Sequence, residues 1–200
     1  FSKWSFTPPV GKKSVPTPGR TNATVTLTDI PASQVFFETV EGIYGSEDGY
    51  HVAVCRNRGD VHQEKAMFLE RVEIEHQRAG GLIALPETTA VLDVDLGSNL
   101  VMYRPANFGA GENGVLSIAR LDGGKLAPAE QWAPYADEDF APSRDIDKAW
   151  FLNDNRVMTI NGHGKALTVW DVNARKALLN IPVGVSFALD LSLSPDRQLL

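Results

Sequence analysis

Residues 165–176 read KALTVWDVNARK, an alternating apolar run that ends in the pair Trp170-Asp171 and a short polar turn. Residues 114–125 read GVLSIARLDGGK, with nearly the same rhythm, 51 positions earlier. Alternation of apolar and polar residues is typical of a β-strand with two different faces. The recurrence therefore suggests a repeated strand-and-turn unit rather than one isolated strand.

Short strand patterns of this kind extend along the chain from residue 23. Segments such as GYHVAVCR at 49–56 and TAVLDVDL at 89–96 alternate and are rich in β-branched residues, and polar turns such as LDGG separate them. No segment has a convincing helical pattern over ten residues or more, and Pro134 interrupts AEQWAPYADEDF at 129–140. The sequence predicts an all-β fold.

Two series of equivalent positions define the repeat. In one series, strands begin at Met67, Leu116 and Leu167, which are 49 and 51 residues apart. In the other series, a bulky residue precedes the turn of a strand-turn-strand segment. These residues are Tyr44, Leu96, Leu152 and Leu193, with spacings of 52, 56 and 41 residues. Four short antiparallel strands in about 40–45 residues form the blade of a β-propeller. Residues 23–200 are thus predicted to form an incomplete propeller of about three to four blades.

The region from about 146 to 200 resembles a WD-repeat (tryptophan-aspartate) propeller. LTVWD at 167–171 matches the Trp-Asp end of that family's third strand, and the turn Ser194, Pro195, Asp196 matches the turn after the next inner strand. The chain departs from the pattern because Gly162-His163 precedes the third strand rather than the first. The family's buried His-Ser/Thr-Asp-Trp hydrogen-bond chain is therefore expected to be absent or rebuilt. With these departures the chain also resembles bacterial propellers of the quinoprotein-like or TolB-like kind.

Composition excludes several functional classes. The 19 basic and 25 acidic residues give a formal net charge of −6, which argues against a nucleic-acid partner or binding to an anionic membrane surface. Cys55 is the single cysteine, so an internal disulfide and a cysteine-based zinc site are not expected. No apolar run approaches the roughly 18 residues of a membrane helix.

Both ends of the sequence are expected to be cuts in a longer protein. Residues 1–22 contain four prolines and predict an extended arm or linker. The chain starts at Phe1 and stops at Leu200 within an apolar run, so further blades are expected beyond it. The compartment stays open, cytoplasmic or exported.

The sequence predicts no catalytic residue, cofactor or metal site. It contains neither a Gly-x-Ser-x-Gly elbow nor an HExxH motif, and the four histidines have no spacing suited to one metal ion: His51, His62, His76 and His163. The acidic residues between 135 and 147 could offer oxygen ligands to Ca²⁺, but they lack the EF-hand pattern and favour a solvated loop.

Two functions remain open. The first is a non-enzymatic scaffold that binds a protein partner through its central cavity and its long loops, 105–114 and 133–145. The residues of this possible binding rim are Phe108, Trp132, Tyr135, Asp137 and Asp139. The second is the propeller half of a larger hydrolase, peptidase or quinoprotein-like enzyme, since a fold does not fix a function.

The predicted packing of Trp170 between blades can be tested by Trp170→Ala. Removal of a buried indole should lower the free energy of unfolding by about 3 kcal/mol or more, measured by chemical denaturation. A change within about half a kcal/mol would instead place the indole in solvent and contradict the assigned strand phase.

Overall fold

The structure is a computed structural model. It describes residues 35–60, 65–74, 76, 78–86, 89–105, 113–161, 166–183, 193, 194 and 197. The predicted arm at 1–22, the Gly162-His163 pair and the side chains of Phe108, Pro195 and Asp196 lie outside these residues. Within them, almost all regular structure is β-strand, as the sequence predicts.

The first sheet is a meander of four antiparallel strands. Neighbours in the sequence are neighbours in the sheet, because short turns connect each strand to the next. The strands are β1 (Val35–Gly45), β2 (His51–Asp60), β3 (Lys65–Glu73) and β4 (Arg78–Ala84).

The second sheet has the same order, but its fourth strand is broken. β8 and β9 both pair with β7, and Pro128, which has no amide hydrogen to donate, lies in the gap between them. The segment KLAPAEQW at 125–132, which completes this sheet, is thus split into two short strands. The strands are β5 (Thr89–Asp95), β6 (Leu100–Pro105), β7 (Leu116–Asp122), β8 (Lys125–Leu126) and β9 (Glu130–Trp132).

The third sheet again has four strands in sequence order. A single helical turn, α1 (Ala141–Arg144), precedes it, so no long helix interrupts the β architecture of the described residues. The strands are β10 (Ile146–Asn153), β11 (Arg156–Asn161), β12 (Ala166–Asp171) and β13 (Lys176–Pro182).

The two faces of the second sheet pack against different neighbours. Cys55 of β2 and Leu69 of β3 are buried against Val94 and Val101 of the second sheet. On the other side of β6, Met102 packs in one cluster with Phe151 of the third sheet. The second sheet is therefore covered on both faces, which explains why its strands carry apolar residues at consecutive positions.

The first strand of each sheet lies nearest to the other sheets. β5 contacts both β1 and β10, so the inner strands of the three sheets are neighbours. Sheets that stack face to face with their first strands together are successive blades of a β-propeller. The predicted fold class, a partial propeller, is confirmed.

None of the helices among the described residues is long and apolar enough to span a membrane.

Phe151→Ala tests the packing between the second and third blades. Phe151 is fully buried between them, so truncation of its ring should cost about 3–5 kcal/mol of unfolding free energy in urea denaturation. Leu178→Ala is the matched control, because Leu178 is 49% exposed on β13 and its truncation should change stability by no more than about 0.5 kcal/mol. Equal effects for both variants would contradict the stacked arrangement.

Candidate functional site

One cavity lined by described residues lies where the inner strands meet. Its volume is about 660 Å³. The β1–β2 hairpin forms one wall, Leu92 and Asp93 of β5 and Trp150 of β10 form the next, and Leu193, Ser194 and Arg197 contribute from the following turn. We call this cavity the central pocket.

A buried ion pair lies at the base of the central pocket. Nη1 of Arg197 is 2.9 Å from Oδ2 of Asp93, and both side chains are almost fully covered. The same guanidinium donates to the carbonyls of Val94 and Phe151, and Asp93 accepts the amide hydrogens of both residues at 2.8 Å. The pair therefore ties the turn at 194–197 to the inner strands of the second and third blades.

Burial and pairing shift the pKa of Asp93 in opposite directions. Loss of water raises the pKa of the Asp93 carboxyl above its ordinary value, because the charged form is disfavoured in the interior. The positive charge of Arg197 and the amide hydrogens of Phe151 and Val94 oppose this rise by stabilising the carboxylate. Since these donors occupy the carboxylate, it is committed to structure rather than presented to a ligand.

The rim of the pocket carries a second polar group in the β1–β2 turn. Ser46 donates its hydroxyl to Asp48, which also accepts the amide hydrogen of Tyr50 at 2.8 Å and lies 3.2 Å from Nδ1 of His51. Chiefly through the Ser46 hydrogen bond, the pKa of Asp48 falls to about 2. Asp48 is therefore an anion at neutral pH, and it faces solvent.

A second buried polar cluster surrounds Trp170. Its indole Nε1 donates to Oγ1 of Thr159 at 2.8 Å, and that oxygen lies 2.6 Å from the hydroxyl of Tyr135. Trp132 and Tyr135 both meet the Trp170 ring edge-on, with centroids 4.9 and 5.5 Å away. The structure thus contains a buried hydrogen-bond chain of Trp170, Thr159 and Tyr135, and the tyrosine comes from the connection before the blade.

Asp171 and Ser194 act in turns. Asp171 accepts the amide hydrogen of Ala174 at 2.8 Å, while the carbonyl of Ser194 accepts that of Arg197 at 2.8 Å. Both turns end in a residue with positive φ, 51° at Arg175 and 56° at Arg197. Asp171 therefore helps to set the geometry of the β12–β13 hairpin.

The structure separates the residues of the proposed rim. Tyr135 is 6% exposed because its ring and hydroxyl are used in the core around Trp170, so its side chain does not reach a surface rim. Trp132 is half-buried beside it, whereas Asp137 and Asp139 are exposed. Phe108 lies outside the described residues.

The acidic loop before the third blade does not converge on one point. Among the described residues, no three side chains of His, Cys, Asp or Glu lie together in a way that could hold a metal ion. Asp145 instead accepts the amide hydrogen of Asn113 at 2.9 Å and so fixes the start of β7 relative to that loop.

Asp93 and Arg197 were not identified from the sequence. One signal was present, because Asp93 is an acidic residue in the middle of an inner strand whose neighbours are apolar, TAVLDVDL. An anion at such a position needs a partner. The partner is 104 residues away, however, and the pairing becomes visible only in three dimensions.

Solved propellers are similar to this chain at low sequence identity. The β-propeller domain of the Trilobed protease from Pyrococcus furiosus matches with a TM-score of 0.46 and 10% identity, covering 74% of this chain and 44% of that one. Hydrazine synthase from Kuenenia stuttgartiensis matches with a TM-score of 0.41 and 11% identity, covering 90% of this chain and 57% of that one. Hsv2 from Kluyveromyces lactis matches with a TM-score of 0.40 and 13% identity, covering 80% of this chain and 69% of that one.

The chain spans about half the length of the first two of these structures. Neither a family model nor a curated protein sequence matches it. Its class, a partial β-propeller, follows from its own stacked four-stranded sheets.

A double-mutant cycle on Asp93 and Arg197 tests their role in joining the blades. Asp93→Ala leaves the guanidinium buried without its counter-ion and should cost about 3–5 kcal/mol in denaturant unfolding. Arg197→Met should also lower the free energy of unfolding. The loss in the double variant should be smaller than the sum of the two single losses by at least about 1 kcal/mol. Additive losses would show that the two side chains do not act together.

Proposed function

We propose that this chain is part of a non-enzymatic propeller scaffold that binds a protein partner at its central pocket and adjacent loops. The observation that carries the proposal is the central pocket itself, about 660 Å³ at the meeting point of the inner strands. Pockets of about 300–1,000 Å³ are large enough to enclose several side chains or a small ligand. Its lining includes residues of β1, β5 and β10, so the three described blades contribute to one binding surface.

The polar groups of the pocket favour binding over chemistry. A general base needs a lone pair that can reach the substrate proton. The carboxylate of Asp93 is occupied by Arg197 and two amide hydrogens, and Asp48 is held by Ser46 and Tyr50. These groups supply fixed shape and charge, which is what a recognition surface requires.

The chain is further proposed to be a divergent WD-repeat propeller. Its Trp170 lies in the third strand of a blade and its Thr159 in the second, and the two are hydrogen-bonded as the Trp and Ser/Thr of that family are. Tyr135 lies in the connection before the first strand, where the family places a histidine. This agreement in strand position supports the resemblance in the LTVWD segment.

Affinity capture with the full-length protein tests the scaffold proposal. Ile43 is 67% exposed and lines the pocket, so Ile43→Arg should remove at least about nine-tenths of the captured partner without changing the unfolding midpoint. Ile181→Arg is the matched control, because Ile181 is 46% exposed on the outer strand β13 and should leave capture unchanged.

A parallel assay separates the scaffold from the enzyme hypothesis. The purified full-length protein is incubated with peptide and ester substrates and with quinone-linked dehydrogenase substrates. Recovery of no partner, together with turnover of one of these substrates, would overturn the scaffold proposal in favour of an enzyme-associated propeller.

A further inference from the structure

We propose that the partner enters the central pocket with an apolar side chain that is flanked by lysine or arginine. This inference rests on the proposed scaffold function and specifies the chemistry of the segment that is bound. Two properties of the pocket lead to it, an apolar interior and a negatively charged mouth.

The interior of the pocket is formed by large apolar side chains from separate blades. Tyr44 belongs to the first blade, Leu92 to the second and Trp150 to the third, and Leu193 follows the last described strand. All four are only half-buried in the chain by itself. An apolar side chain inserted between them would remove their remaining surface from water, which is the main source of affinity at a protein interface.

The fixed polar groups at the base do not oppose such an insertion. Arg197 is neutralised by Asp93 at 2.9 Å and also donates to two backbone carbonyls. The hydroxyl of Tyr44 donates to the carbonyl of Val91 at 3.1 Å, so its ring rather than its oxygen is available to a ligand. An apolar group can therefore enter without leaving these polar atoms unpaired.

The mouth of the pocket is acidic. Glu47 and Asp48 are both exposed in the β1–β2 turn that forms the wall. Among the described residues that line the pocket, Arg197 is the one lysine or arginine, and it is paired with Asp93. Nδ1 of His51 lies 3.2 Å from Oδ2 of Asp48. Charge complementarity favours a basic residue next to the inserted side chain and disfavours an acidic one.

Synthetic peptides provide the probe. Three fluorescein-labelled heptapeptides with a Gly-Ser flank on each side carry Arg-Leu-Arg, Glu-Leu-Glu or Arg-Ser-Arg at their centre, and their binding to the full-length protein is measured by fluorescence anisotropy at low salt. We expect Arg-Leu-Arg to bind at least about tenfold more tightly than either of the others, because it alone combines both features.

Two variants connect this preference to the pocket. Glu47→Lys reverses a charge at the mouth and should weaken Arg-Leu-Arg binding about three- to tenfold, whereas Asp122→Lys, at the exposed last residue of β7, should have no effect. Ile43→Ser should weaken Arg-Leu-Arg binding but leave Arg-Ser-Arg binding unchanged. Unchanged unfolding midpoints establish that the variants are folded.

The outcomes separate this inference from the scaffold proposal. Equal binding of the acidic and basic peptides, or equal effects of Glu47→Lys and Asp122→Lys, would overturn the inference. If a partner is captured through Ile43 but Arg-Leu-Arg does not bind, the scaffold stands and the inferred peptide chemistry is wrong. If Arg-Leu-Arg binds through Glu47 but no protein is captured, the pocket chemistry stands and the scaffold proposal fails.

Discussion

The structure depends on the face-to-face stacking of its four-stranded sheets, which buries both faces of the second sheet. A meander of four short strands has no core of its own, so its apolar side chains are shielded only by stacking. The second blade shows this most clearly, because Val101 and Met102 are adjacent in β6, point to opposite faces and are both fully buried. Removal of one blade would expose a face of the next, and stability is therefore shared between blades rather than contained in one.

Radial stacking also explains where polar residues can be buried. The inner strands converge on one axis, where backbone and side chains of different blades come within hydrogen-bond distance. Asp93 and Arg197 use this proximity, and the ion pair with its backbone partners offsets the cost of removing two charges from water. The pocket above the pair consequently has a rigid base, a favourable condition for binding with little loss of conformational freedom.

The cluster around Trp170 shows how a blade is fixed to the connection that precedes it. Thr159 accepts a hydrogen bond from the indole and lies within hydrogen-bond distance of Tyr135, so one buried hydroxyl joins β11, β12 and the loop before β10. Tyr135 supplies ring packing against Trp170 as well as this polar contact. Tyr135 thereby holds the start of the loop that carries the exposed Asp137 and Asp139.

The sequence by itself determined the repeat and most of its strands and turns, because these depend on local alternation and on residues such as Asp171 that stabilise a turn within a few positions. It also placed Trp170 in a buried strand. It did not indicate β4 (Arg78–Ala84), whose glycines are typical of a turn. The tertiary structure alone decided that Tyr135 belongs to the core and that Asp93 pairs with Arg197. Those outcomes depend on contacts between residues 24 and 104 positions apart, whose distances are set by the stacking of whole blades. A local pattern contains no information about which distant side chain will complete a buried hydrogen bond.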